Sequence, residues 1–141
     1  MVTKKVSFNQ LEPGYEFSPS SFKLDSSAVS AYLRAAEDTT SLYQGSALVP
    51  PLAIAALAMT ALTKGISLPP GTIHVSQEFE LSASVTTDDT LTSFASVSRK
   101  HSRGKLHLLT VSFKVLNQKK QAVLTGKTSF ILPENNGAEG A

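Results

Sequence analysis

Apolar residues recur along this chain with two periods, and the change from one to the other falls at Pro69-Pro70-Gly71. Before it, Leu52, Ile54, Leu57, Met59 and Leu62 are interleaved with Ala53, Ala55, Ala56, Ala58 and Ala61, and no charge appears until Lys64. Pro50 and Pro51 open this run because proline fits the first helical turn, and Gly65 closes it because glycine accepts the left-handed conformation after a helix end. The pattern predicts a helix near residues 51 to 64 that is apolar all round and therefore buried all round. It falls short of the roughly 18 apolar residues of a membrane span, so a core helix is expected. Upstream, Ala28, Val29, Tyr32, Leu33 and Ala36 follow the candidate N-caps Asp25-Ser26-Ser27 at helical spacing, which predicts a short amphipathic helix ending near Glu37. Tyr15 to Leu24 predicts a first strand anchored by Phe17 and Phe22, confined to an edge or split by Pro19. Residues 1 to 13 are polar and expected to be loosely held, ending in the turn Glu12-Pro13-Gly14.

After Pro69-Pro70-Gly71 the period is two. Ile73, Val75, Phe79 and Leu81 alternate with His74, Ser76, Glu78 and Glu80, predicting a half-buried strand with Gln77 intruding on its apolar face and His74 on its polar one. Asp88-Asp89 turns the chain into a strand from Leu91 to Val97. The segment from Ser98 to Lys105 reads as an exposed hairpin loop, and strands at Leu106 to Leu116 and Gln121 to Leu132 are joined at Asn117-Gln118-Lys119-Lys120. Four such strands with short connections predict an antiparallel meander wrapped around one helix, an α+β fold. Residues 1–133 make a single domain, and 134–141, with almost nothing to bury, read as a disordered tail. An unpaired sheet edge makes a dimer the expected state.

Composition narrows the function classes. The chain has 141 residues, 41% of them apolar and 17% charged, which suits a globular domain with a real core. A net charge of +2 is too small to imply nucleic acid. There is no cysteine, so neither a disulfide framework nor a thiolate metal site is available. His101 and His107 show no ligand spacing with any acid, so no metal is assigned, and no cofactor is implied. The first seven residues lack the apolar core of a signal peptide, and the expected location is the cytoplasm.

Four pieces of the chain together resemble a known family. They are the segment from Tyr32 to Tyr43, Val49-Pro50-Pro51 before the central helix, Ile73 to Phe79 after it, and the hairpin from Val115 to Gly126. In this order they resemble the hot-dog fold, and within it the MaoC-like (R)-specific enoyl hydratases and 3-hydroxyacyl dehydratases. That resemblance implies addition or removal of water across the double bond of an acyl thioester. The chemistry uses an Asp and, five residues later, a His as base and acid. It also uses a backbone N–H at the start of the central helix to hold the thioester oxygen as it becomes enolate-like.

Measured against that pattern, Asp38 matches the aspartate. Tyr43 stands at the histidine position, and its ordinary pKa of about 10 makes it a poor base at neutral pH. Pro51 stands where the family has its donor glycine, and proline has no N–H. Tyr43 with Pro50-Pro51 resembles the N-terminal "FAS1-like" class of MaoC domains, which implies an acyl-binding half whose catalytic residues sit on a partner. The candidate site is therefore Asp38 and Tyr43 for catalysis, with Val49, Pro50, Pro51 and Gln77 toward substrate. Arg99 and Arg103 would face the phosphates of coenzyme A or the acidic side of an acyl carrier protein. Plainer roles compete: Asp38 can cap a turn, Tyr43 can pack in the core, Gln77 can bond backbone, and residues 99–105 can be a solvated hairpin.

The expected function is an acyl-CoA- or acyl-ACP-binding, non-catalytic subunit of an (R)-3-hydroxyacyl dehydratase or enoyl hydratase, as a homodimer or paired with a catalytic MaoC-like chain. The alternatives are a self-sufficient hydratase or thioesterase using Asp38, and a non-enzymatic homodimer that binds an acyl ligand. The absence of a carboxylate from Leu52 to Thr63 weighs against the thioesterase.

Overall fold

The computed structural model describes residues 5–43 and 45–133, so the tail expected at 134–141 lies outside the described residues. Two helices, α1 (Ser26–Ala35) and α2 (Pro51–Gly65), accompany five strands: β1 (Ser20–Phe22), β2 (Ile73–Leu81), β3 (Leu91–Arg103), β4 (Leu106–Leu116) and β5 (Ala122–Pro133). The strands form one antiparallel sheet in the order β1-β3-β4-β5-β2, and α2 packs on one face of it. This is the α+β fold that the two periods predict, in the hot-dog arrangement that the resemblance implies. Asp25 caps α1 as expected, accepting from the Ala28 N–H at 2.8 Å. Among the described residues no helix is long and apolar enough to cross a membrane.

The core divides into two clusters along α2. Near the helix start, Ala53, Ile54 and Ala55 meet Val49, Leu91, Phe113, Val115 and Leu124. Near its end, Leu62 and Ile66 meet Leu11, Val97, Leu109, Val111, Phe130 and Leu132. Small alanines on α2 let the sheet approach closely, and larger side chains from β4 and β5 fill the space they leave.

Five expectations need correction. The last four strands are not a simple meander: β2 pairs with β5, and the 82–90 connection carries the chain across to β3. Period-two patterning states which face is apolar and says nothing about which strand lies alongside. Consequently β2 is an edge, and every one of its residues is exposed rather than half-buried.

Helix α2 is buried on the sheet side only; Leu52 is 56% exposed and Ala56 is exposed too. A single sheet covers one side of a helix, so all-round apolarity here leaves an open face. From residue 5 on, the N-terminal segment is tied down rather than loose. Val6 bridges to Ile66, Phe8–Gln10 form a 3-10 turn, and Leu11 is fully buried. Finally, Ser98 to Arg103 is strand, not loop, and the hairpin turns at Gly104, whose φ is +62°. An irregularity between Val97 and Arg99 turns Lys100 inward, where its ammonium donates to the carbonyls of Phe8 (3.1 Å) and Leu11 (2.7 Å) and to Glu12 Oε1 (3.2 Å).

Candidate functional site

The start of α2 is set by the connection that precedes it. The Val49 N–H donates to the Val85 carbonyl at 2.9 Å and that of Thr87 to the Ala47 carbonyl at 2.9 Å, so the crossing segment grips the chain just before the helix. Asp89 fixes that segment in turn. Its carboxylate accepts from the Thr86 N–H at 2.9 Å and from the Gln118 amide at 2.8 Å. The Thr86 N–H, then the Gln118 amide, hold the Asp89 carboxyl below the usual carboxylate range, with burial opposing them. Val49 and Pro50 are buried by this arrangement and serve the site by aiming the helix.

Pro50 is the N-cap residue and Pro51 the first helical residue. Neither has an N–H, and that of Ala53 is taken by the Pro50 carbonyl at 3.0 Å. Leu52 therefore carries the forward-facing N–H of this helix end that has no partner among the described residues. The positive end of the helix dipole remains, while the array of donors that usually accompanies it is cut to one.

Asp38 follows α1, where Glu37 adopts φ 54° and the Asp38 N–H reaches back to the Leu33 carbonyl at 2.9 Å. Its carboxylate accepts from the Thr40 N–H at 2.9 Å. The Thr40 hydroxyl, then that N–H, hold the carboxyl below its usual range, which keeps it ionised and weakly basic at neutral pH. It lies in a shallow recess with Ser30, Leu33, Arg34, Glu37 and Thr39. Tyr43 ends a 3-10 turn and packs, half-buried, against the core around the start of α2. Among the described residues no hydrogen bond joins Asp38 to Tyr43.

The open face of α2 lines a cleft of about 580 Å³ with α1 and β2. Its walls are Leu52, Ala55, Ala56 and Met59 from α2, Tyr32 from α1, and His74, Gln77 and Phe79 from β2. Gln77 thus faces α2, as its place in the alternation predicts. His74 does so too, against expectation. A bulge between His74 and Ser76 reverses the parity of the strand, sending Ile73 outward and His74 inward. There His74 Nε2 lies 2.6 Å from the hydroxyl of fully buried Thr128, and the ring leans over Phe130 at 5.0 Å. One signal was available in the sequence: Thr128 is the polar member of the apolar series Leu124, Phe130, Leu132 on β5.

Arg99 and Arg103 are far from this cleft in kind. They sit with His101 on the exposed face of β3 opposite Lys100, across from Thr110, Leu108 and Leu106 of β4.

The profile of a protein family described as "FAS1-like, dehydratase domain region" matches residues 12–126. A search of curated proteins finds no match. Among solved structures, the unliganded (R)-hydratase of Pseudomonas aeruginosa superposes with a TM-score of 0.80 at 17% identity, covering 94% of this chain and 89% of that one. The (R)-hydratase of A. caviae involved in PHA biosynthesis gives 0.73 at 20%, covering 87% and 98%. The C-terminally truncated HadBC (3R-hydroxyacyl-ACP dehydratase) complex of Mycobacterium tuberculosis gives 0.65 at 14%, covering 84% and 96%. At these identities the likeness is one of fold.

Proposed function

The chain belongs to the FAS1-like dehydratase-domain family, and from that premise we propose that it binds acyl-CoA or acyl-ACP thioesters as the non-catalytic subunit of an (R)-3-hydroxyacyl dehydratase or enoyl hydratase. The observation that carries this reading is the proline pair at the start of α2, which removes donors where an enolate-like oxygen needs them. Asp38 bound to Thr40 and Tyr43 packed on the core support it, since neither is arranged for proton transfer with the other. The cleft offers the apolar wall that an acyl chain requires.

The partner is a catalytic MaoC-like chain or a second copy of this one, joined along β2. That strand leaves its outer N–H and C=O groups unpaired and exposes Ile73, Val75, Phe79 and Leu81. A heteromeric dehydratase of the same fold, the HadBC complex, supports the first form. The basic row Arg99, His101 and Arg103, on the exposed face of β3, suits the phosphates of coenzyme A or an acidic carrier protein.

The test is enoyl-CoA hydration followed by ultraviolet absorbance, with the protein alone and co-purified with a catalytic MaoC-like chain. Thioester binding without turnover when alone, and turnover with the partner, is the expected result. Robust turnover by the protein alone, abolished by Asp38→Asn or Tyr43→Phe, overturns the non-catalytic reading.

A further inference from the structure

The cleft has a direction, which the two core clusters reveal. Leu81 pairs with Leu124, which belongs to the cluster at the start of α2, and His74 pairs with Phe130, which belongs to the cluster at its end. The cleft therefore runs from Leu52 and Phe79 at the donor end to Met59 and His74 at the far end. Leu52 and Met59 are about 10 Å apart along the axis at 1.5 Å per residue. A thioester held at the Leu52 N–H sends its tail toward His74.

The far end of the cleft is polar by construction. Thr128 is fully buried, and a hydroxyl there costs free energy unless it is hydrogen-bonded. Its close partner is His74 Nε2 at 2.6 Å, with the Ser76 carbonyl at 3.5 Å a poor second. This bond and the tilted contact with Phe130, at 32° between ring planes, fix the imidazole. Nε2 is used, so Nδ1 is the polar atom the ring has left, and it has no partner among the described residues. If Thr128 donates to Nε2, Nδ1 carries the proton and donates; if Nε2 donates, Nδ1 accepts. A hydroxyl satisfies either tautomer. Gln77 adds an amide on the same face of β2, within a wall otherwise made of Leu52, Ala55, Ala56, Met59, Phe79 and Tyr32.

We propose that His74 and Gln77 make this cleft selective for acyl groups that carry a hydroxyl remote from the thioester. This rests on the acyl-thioester reading above. A plain hydrocarbon tail covers both polar groups and pairs neither, and a site built to bond a hydroxyl discriminates strongly against the analogue lacking it. Thr128 is a positioning residue that aims the imidazole.

The experiment is isothermal titration of the purified protein with octanoyl-CoA and with ω-hydroxyoctanoyl-CoA. The wild type should bind the hydroxylated thioester roughly tenfold more tightly. His74→Phe should bring the two Kd values to within about twofold, by weakening the hydroxylated ligand. Thr128→Val should erode the same preference while leaving octanoyl-CoA affinity in place. Equal affinity of the wild type for both ligands overturns the proposal while leaving the thioester-binding function standing, and needs no variant to fold. Binding of neither thioester overturns both. A His74→Phe protein that keeps the preference but changes its oligomeric state by light scattering also overturns it, because His74 then faces a second copy of the chain.

Discussion

The ring of Phe113 fills the space that a side chain on Gly126 would need: a Cβ there would stand 2.6 Å from Phe113 Cζ, 3.0 Å from the Phe79 Cβ, and against the Glu78 carbonyl. The three residues form one row across β4, β5 and β2. Gly126→Ala must push a backbone carbonyl of the edge strand as well as a ring. We expect a loss of about 1–3 kcal/mol in urea unfolding. Phe113→Leu in the same background should recover part of it, by clearing the ring from the new methyl.

Lys120 occupies the left-handed region at φ 61° in the β4–β5 turn, where Asn117 receives N–H groups from Lys119 and Gln121. Lys120→Gly should raise stability by about 0.5–1 kcal/mol, because a Cβ is strained there and glycine is not. A higher melting temperature by calorimetry is the readout.

Lys100 is the clasp of the N-terminal segment, with three oxygen partners and its ammonium 4.5 Å over the Phe8 ring. Lys100→Met keeps the stem and abandons the Phe8 and Leu11 carbonyls. We expect a loss of about 1–3 kcal/mol and faster proteolysis before Leu11, detected by mass spectrometry.

Asp89 gives the fold an acid limit. Its folded pKa lies below the ordinary 3.8, so the ionised form favours the native state, and this stabilisation is complete above the unfolded pKa. It is lost as pH falls through the folded value. Asp89→Asn should therefore be less stable than wild type at pH 7, and the gap in urea midpoints should close below about pH 4.

If the chain is the non-catalytic half proposed above, two repairs are needed before it turns over enoyl-CoA on its own, because Tyr43 and Pro51 stand at the base and donor positions independently. Tyr43→His alone should stay nearly inactive. Tyr43→His with Pro51→Gly should gain measurable hydration, since one oxyanion donor is worth roughly 100- to 1000-fold in rate. Absorbance of the enoyl thioester reports both.

Much of this molecule is legible in its amino acids. Pro50, Pro51 and Gly65 bracket the central helix to within a residue, and the hairpin from Leu106 onward follows its alternation closely. Strand partners are less legible, since Ile73 to Leu81 carries no mark that it will meet β5. Bulges are the other gap. One extra residue at Val75 reverses parity, and with it the assignment of His74, and another at Ser98 turns Lys100 inward within a stretch that reads as an exposed loop. Alternation presumes an unbroken ladder, so all residues on one side of a bulge take the face opposite to the one it predicts from the other side. Gln77, past the first bulge, stands on the face that its place in the alternation predicts.

The pairing of β2 with β5 also sets a timetable. During synthesis β2 leaves the ribosome well before β3, β4 and β5, so Ile73 must wait for Ile131 before its backbone is satisfied. Contacts of such long sequence separation close late and slowly. Until then the nascent chain displays Val75, Phe79 and Leu81 on a strand with neither edge covered, a segment suited to joining the wrong chain. A holdase that shields residues 73–81 until the last strand arrives should therefore raise the soluble yield.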